Sequence, residues 1–189
     1  MNSPLEGQDY LAHLAQFDDW NARAFLAIIV AFGAPMTYLD VGCGTGAMIR
    51  MARRLGIDAV GLDILAPPNA DLHGIMKVDV SREFNILRKF ALLTCIEVAE
   101  HIPEDQGGML IRNIAEHAAE TCLLIWTSAG PGQGGENHQT LVPGYVWRSM
   151  LHDHGLHYNE AWTHRLRLIW QAIGMPMMWL PDNLQVFDR

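Results

Sequence analysis

Three alternating glycines directly after a short apolar segment constrain the fold more than any other feature of the sequence. Residues 37–41 have the length and composition of a buried strand, and Gly42, Gly44 and Gly46 follow before a segment with helical periodicity. Glycines at such a turn permit positive φ angles and a close approach to the backbone, and the free N–H groups at a helix start attract negative charge. The sequence therefore predicts a strand-to-helix turn that binds a nucleotide-like ligand.

The rest of the chain alternates strand-like and helix-like segments. This alternation indicates an α/β fold, in which a three-layer sheet of seven mostly parallel strands is covered by helices on both faces. The predicted strands are residues 37–41, 59–64, 75–80, 91–97, 121–127, a segment soon after 156, and 184–187. The predicted helices fall within 10–32, 47–55, 81–89, a segment from 103, 143–154 and a segment ending near 170, with a proline turn at 67–68 and an irregular segment before 184.

An acidic residue precedes the first glycine by two positions, so that the string reads Asp40-x-Gly42-x-Gly44-x-Gly46. This string resembles motif I of class I S-adenosylmethionine-dependent methyltransferases, in particular small bacterial or phage-type members. The same glycines with Ala47 also satisfy the G-x-G-x-x-A pattern of NAD- or FAD-binding turns. The turn taken alone therefore leaves both kinds of ligand open.

Further positions match the methyltransferase family in chain order. Asp63 ends the second predicted strand, where the family's acidic residue binds the ribose hydroxyls, and one carboxylate can accept from both. Asp79 matches the position that reaches the adenine edge in the family. Glu97 and His101 match its recurrent acidic and histidine positions after the fourth strand. Both aspartates could instead be helix caps, Glu97 could bond a backbone amide, and His101 could cap the following helix.

The resemblance extends from about residue 20 onwards and implies the family's Rossmann-like sheet with an antiparallel last strand. It also implies that the chain binds S-adenosylmethionine and releases S-adenosylhomocysteine. The cofactor-binding residues that it implies are Asp40, Gly42, Cys43, Gly44, Gly46, Asp63, Ile64, Asp79, Val80 and Cys95. We expect residues 1–189 to form a single methyltransferase domain, in which 1–35 form an N-terminal helical cover and 128–141 an acceptor loop.

The acceptor loop follows the fifth predicted strand, at the sheet edge where doubly wound folds bind ligands. Its alternative is an exposed hairpin, but long glycine-rich connections in compact domains are more often binding loops. The loop resembles one in small methyltransferases of surface-sugar clusters, which indicates O-methylation of a sugar-like or other hydroxyl group. We expect His138 to be the general base, with Glu97 and His101 as alternatives.

Composition excludes several partners. A net charge of −8 with 13 Lys and Arg argues against nucleic acid, and residues 97–100 lack the Pro-Pro-aromatic motif of amino-methylating DNA enzymes. The longest uncharged apolar stretch, residues 24–36, is shorter than the roughly 20 residues that span a bilayer. Three cysteines without close pairs fit the reducing cytoplasm. The histidines within 152–157 suit a solvated helix end better than a metal site, so no metal is expected.

Two other functions stay open at this point. The glycine turn would also suit an NAD(P)-dependent oxidoreductase, although 189 residues leave little room for a separate substrate domain. The chain could also be a nucleotide-binding module without catalysis. We expect a methyltransferase acting on a small-molecule acceptor, with no nucleic-acid or membrane partner, and the oligomeric state is open.

Overall fold

The computed structural model describes residues 7–65, 69–174 and 179–189. The strands are β1 (Thr37–Val41), β2 (Asp58–Asp63), β3 (Ile75–Lys77), β4 (Phe90–Ile96), β5 (Ala118–Thr127), β6 (His157–Tyr158) and β7 (Gln185–Asp188). The helices are α1 (Gly7–Ala15), α2 (Asp18–Phe32), α3 (Ala47–Arg54), α4 (Gly107–His117), α5 (Gly144–Asp153), α6 (Glu160–Ala172) and α7 (Trp179–Asn183). The predicted proline turn at 67–68 lies outside the described residues, as does most of the irregular segment before 184.

The described strands form one sheet in the order β3-β2-β1-β4-β5-β7-β6. Strands β1 to β5 pair in parallel, and β7 runs antiparallel to both β5 and β6. The predicted α/β sheet of seven mostly parallel strands with an antiparallel last strand is thereby confirmed. The chain order reverses between the neighbouring strands β1 and β4, so their carboxyl ends border the crevice where open α/β sheets bind ligands.

Helices pack on both faces of the sheet and give the three layers. On one face α2, α3 and α6 contribute Phe25, Ile49 and Trp170 to a buried cluster that includes Tyr38 of β1. On the other face α4 and α5 pack over a second cluster, which includes Leu39 of the same strand. Successive residues of a strand point to opposite faces, so β1 is buried on both sides.

The segment between β3 and β4 differs from the prediction. Strand β3 ends at Lys77 rather than at residue 80, and the predicted helix within 81–89 is wrong, since the segment is irregular there. The Asn113 side chain of α4 donates to the carbonyls of Val80 (3.2 Å) and Arg82 (2.8 Å). The N–H of Ile86 donates to His117 Nε2 at 3.2 Å. Because α4 side chains satisfy these backbone groups, the segment has hydrogen-bond partners without forming a helix.

The prediction of one or two N-terminal helices is confirmed by α1 and α2. Helix α2 begins with two acidic residues, which favour a helix N-terminus, and it packs against α3 and α6. Helix α3 ends at Arg54, and Gly56, the predicted stop, follows its C-cap Leu55 with a positive φ. Nowhere in the described ranges is a helix both long enough and apolar enough to span a bilayer.

Candidate active site

The glycine loop, residues 42–46, connects β1 to α3 at the carboxyl edge of the sheet. The φ angles of Gly42, Gly44 and Gly46 are +76°, +54° and +79°, a region that side chains rarely adopt. A Cβ atom at Gly42 would overlap the side chain of Val98, and one at Gly46 would overlap Ile75. The loop therefore requires glycine both for its backbone conformation and for its packing.

Asp63 lies at the end of β2 and holds the glycine loop. Its Oδ2 accepts from the N–H of Gly44 at 2.7 Å, and its Oδ1 accepts from the N–H of Leu65 at 2.8 Å. Each carboxylate oxygen has a second lone pair for a further donor. The half-buried Asp63 carboxylate is thus fixed beside the glycine loop and can accept from two vicinal hydroxyls.

Asp40 is buried below the glycine loop, with 5% of its surface exposed. The Thr94 hydroxyl of β4 donates to Asp40 Oδ1 at 2.5 Å, and the Tyr38 hydroxyl lies 2.7 Å from the Thr94 hydroxyl. Burial raises the pKa of Asp40 from 3.8 to about 7, although these hydroxyls lower it. Asp40 therefore links β1 to β4 from inside the sheet and is poorly exposed to a ligand.

The other residues implied as cofactor contacts differ in accessibility. Asp79 follows β3 and accepts from the N–H (3.1 Å) and hydroxyl (2.6 Å) of Ser81, which lowers its pKa. Cys95 is fully buried and Val80 nearly so, whereas Ile64 is exposed. Asp79 thus stabilises the turn after β3, and Cys95 can contribute main-chain contacts only.

Helix α1 lies across the glycine loop, a placement that the sequence did not predict. The Leu14 side chain packs so close to Gly44 that a Cβ there would lie 3.2 Å from Leu14 Cδ1. Burial raises the pKa of the Tyr10 hydroxyl, as do the nearby charges of Asp63, Glu100 and Glu136. Helix α1 therefore packs on the glycine loop and places Tyr10 within electrostatic range of the carboxylates that follow β2 and β4.

The segment after β4 approaches the glycine loop through the contact of Val98 with Gly42. Glu97 has a φ of +54°, and its N–H donates to the carbonyl (3.2 Å) and hydroxyl (3.1 Å) of Thr127 in β5. Positive φ in a non-glycine residue is strained, and such residues concentrate at functional sites. The bond to β5 holds the chain in this conformation where it enters the short 3₁₀ turn Ala99–His101.

The acceptor loop is hydrogen-bonded to this turn. The N–H groups of Gln139 and Thr140 donate to the Glu100 carbonyl at 2.7 and 3.0 Å. The Gln139 side chain donates to the His101 carbonyl (2.7 Å), and the Thr140 hydroxyl donates to the Ile102 carbonyl (2.6 Å). These bonds fix residues 139–140 beside the carboxyl end of β4.

The predicted acceptor-side residues lie together. The rings of His101 and His138 are 5.0 Å apart between centroids and nearly perpendicular. Burial and His138 lower the pKa of His101, and the charge of Glu97 raises it. No side chain caps the turn that follows Pro103, so His101 is not its cap.

Sequence reasoning missed Glu100, which completes this cluster. Glu100 is fully buried, and its Oε1 accepts from the N–H of Ala129 at 3.2 Å. One ligand atom from each of Glu100, His101 and His138 lies within 4.8 Å of the others. Burial raises the pKa of Glu100. In the sequence, its position beside His101 and three residues after Glu97 could have identified it as a candidate site residue.

The sheet order, the reversed β7 and the glycine loop after β1 define an α/β enzyme class that binds nucleotide-like cofactors. Residues 11–175 match the family model described as a methyltransferase domain. The chain belongs to this methyltransferase-domain family.

Comparisons with individual proteins agree with this family. A ubiquinone biosynthesis O-methyltransferase of Pectobacterium atrosepticum is 36% identical over 80 residues, which cover 36% of this chain and 33% of the relative. The match thus spans about a third of that relative's length. A sugar N-methyltransferase of a Streptoalloteichus species superimposes with a TM-score of 0.70 at 14% identity, over 100% of this chain and 96% of that one. An amino pentose methyltransferase of Micromonospora echinaspora gives 0.66 at 15% identity, over 100% of both chains.

Proposed function

We propose that the protein binds S-adenosylmethionine and transfers its methyl group to a hydroxyl oxygen of a small, sugar-like molecule. The observation that carries the proposal is the pairing of the glycine loop with Asp63. Three of the five loop residues are glycines with positive φ, and the carboxylate beside the loop has free lone pairs for two ribose hydroxyls. Family membership supports the same cofactor.

The sheet favours this cofactor over NAD(P), the alternative that the glycine pattern left open. The usual dinucleotide-binding sheet has the strand order 3-2-1-4-5-6, built from two parallel halves. Here β7 enters antiparallel between β5 and β6. The second half of that dinucleotide-binding sheet is therefore missing from the described residues.

Methyl transfer from a sulfonium ion needs alignment more than covalent catalysis. The acceptor oxygen attacks the methyl carbon in line, the carbon–sulfur bond breaks, and S-adenosylhomocysteine is released. The protein contributes by holding both reactants and excluding water. The glycine loop and Asp63 would fix the cofactor, and the acceptor loop would hold the acceptor.

The acceptor side favours a hydroxyl group. The curated relative is an O-methyltransferase, whereas the two structural neighbours are named as a sugar N-methyltransferase and an amino pentose methyltransferase. A neutral amine already presents a lone pair, but a hydroxyl must lose its proton during transfer. The half-buried imidazoles of His101 and His138, with Glu97 nearby, provide groups that assist this loss.

Calorimetry with S-adenosylhomocysteine tests the cofactor assignment. Asp63→Ala removes an acceptor of charge-assisted hydrogen bonds, worth roughly 1.5 to 3 kcal/mol, so the affinity should fall by about one to two orders of magnitude. Asp153→Ala, which removes an exposed carboxylate at the end of α5, is the matched control and should bind normally. Tighter binding of NAD or NADP by the unchanged protein would refute the proposal.

A further inference from the structure

A network of polar side chains joins the first turn of α2 to the glycine loop. The Asp18 carboxylate accepts from the Thr45 hydroxyl through Oδ1, and from the Arg50 guanidinium of α3 through Oδ2 at 2.6 Å. Arg50 also donates to the Thr45 carbonyl at 2.5 Å. The Asp18 and Arg50 side chains are each 32% exposed, so water screens their interaction only in part. The three residues thus connect two helices to the loop between β1 and α3.

Thr45 is the residue through which this network can order the glycine loop. It lies between Gly44 and Gly46, whose φ angles are +54° and +79°. Glycine loses more conformational freedom than any other residue when it is ordered, so a glycine-rich loop is costly to fix. The network binds Thr45 at both its hydroxyl and its carbonyl, and therefore orders the loop before a ligand arrives. A loop that is ordered in advance binds its ligand more tightly.

The corner between α1 and α2 has a second attachment to the same loop. Helix α1 ends at Ala15 and α2 begins at Asp18, so two residues separate the helices. On the α1 side of this corner, Leu14 packs against Gly44. On the α2 side, Asp18 binds Thr45. The corner therefore holds adjacent residues of the loop by one apolar and one polar contact.

We propose that Asp18 is a positioning residue of the cofactor site, which acts through Thr45 and Arg50 by holding the glycine loop in the conformation that receives S-adenosylmethionine. The inference rests on the proposed function, because that function places the cofactor at this loop. Asp18 itself needs no contact with the cofactor. By linkage, a ligand that favours the ordered loop also favours the attached state of the α1–α2 corner. Cofactor binding and the docking of α1 are therefore coupled.

Calorimetry with S-adenosylhomocysteine compares Asp18→Ala with the matched control Asp19→Ala. Both aspartates lie in the first turn of α2 and favour its N-terminus equally. Asp19, however, pairs with Arg23 of the same helix at 2.8 Å on the exposed surface. Asp18→Ala should lower the affinity about three- to tenfold, since the loop must then be ordered on binding. Asp19→Ala should change the affinity by less than about twofold, because exposed ion pairs contribute little.

Two variants of Thr45 separate this role from a general loss of stability. Thr45→Val keeps the side-chain volume but removes the hydroxyl, whereas Thr45→Ser keeps the hydroxyl. The affinity should fall further in Thr45→Val than in Thr45→Ser. In the double variant Asp18→Ala/Thr45→Val the two losses should be less than additive, because both remove the same contact. Melting temperatures of the ligand-free variants verify that each is folded, and fully additive losses would contradict the role of Asp18 through Thr45.

Amide hydrogen exchange tests the coupling to α1. Saturating S-adenosylhomocysteine should slow exchange of the α1 amides in the unchanged protein and in Asp19→Ala, and slow it less in Asp18→Ala. Equal protection of α1 in Asp18→Ala and the unchanged protein would overturn the coupling. An Asp18→Ala affinity equal to that of Asp19→Ala would overturn the positioning role while leaving the proposed function intact. Failure of the unchanged protein to bind S-adenosylhomocysteine would instead refute the proposed function, and the positioning role with it.

Discussion

Asp40→Asn isolates the energetic consequence of burying a carboxyl group under the glycine loop. Burial raises the pKa of Asp40 from 3.8 to about 7. Between pH 3.8 and about 7 the Asp40 carboxyl group is therefore ionised in the unfolded chain and neutral in the folded chain. Asp40 therefore contributes its full stabilisation below pH 3.8, and this contribution is lost as the pH rises towards 7.

The magnitude follows from the size of the shift. About three pKa units correspond to about 4 kcal/mol, with a slope of about 1.4 kcal/mol per pH unit and a plateau above pH 7. The asparagine side chain of the variant does not titrate, but its amide N–H₂ lacks a partner and lowers stability by about 1 to 3 kcal/mol at every pH. The variant should be less stable than the unchanged protein near pH 4. Its unfolding free energy relative to that of the unchanged protein should rise by several kcal/mol between pH 4 and pH 8.

Urea denaturation of both ligand-free proteins from pH 4 to 8 measures this difference. The neighbouring groups Tyr38 and Cys43 are common to both proteins, so their contribution to the difference largely cancels. Thr94→Val removes the hydroxyl that donates to Asp40 and lowers its pKa, so the pH dependence should extend to higher pH with the same slope. A difference in unfolding free energy that stays constant from pH 4 to 8 would show that Asp40 is ionised in the folded protein and refute the reasoning.

Two further predictions concern packing. Gly42→Ala and Gly56→Ala both place a side chain at positive φ, which costs about 1–2 kcal/mol, but only the side chain at position 42 would overlap Val98. Thermal melts should therefore show a clearly larger loss of stability for Gly42→Ala. Equal losses would contradict the close packing of Val98 against Gly42. Asn113→Ala leaves the carbonyls of Val80 and Arg82 without their donor and should lower stability by about 1–3 kcal/mol. Amide hydrogen exchange in residues 80–89 should also become faster. Unchanged exchange there would contradict the conclusion that α4 holds this segment.

Local signals explain what the sequence predicted correctly. The strand before the glycine loop, the loop itself and Asp63 lie within a short stretch whose glycines and strand ends determine the backbone directly. The mostly parallel sheet followed from the alternation of elements, and its antiparallel last strand followed from the motif resemblance. These features needed no knowledge of distant contacts.

The wrong and missing predictions depended on contacts between residues far apart in the chain. Residues 81–89 have helical periodicity, but the side chains of Asn113 and His117 hold their backbone in another conformation. The place of Glu100 in the candidate site could not be predicted, because it depends on the acceptor loop, which hydrogen-bonds to the Glu100 carbonyl. Whether His138 faces an acceptor stays a prediction, as do the other cofactor and acceptor contacts.

Helix α1 lies beside both parts of the candidate site, since Leu14 packs on the glycine loop and the charges of Glu100 and Glu136 on the acceptor side act on Tyr10. A single displacement of this helix would therefore uncover both binding places together. The residence times of cofactor and acceptor would then share one opening step, and changes in α1 would alter both dissociation rates in parallel while leaving the contacts within each place intact.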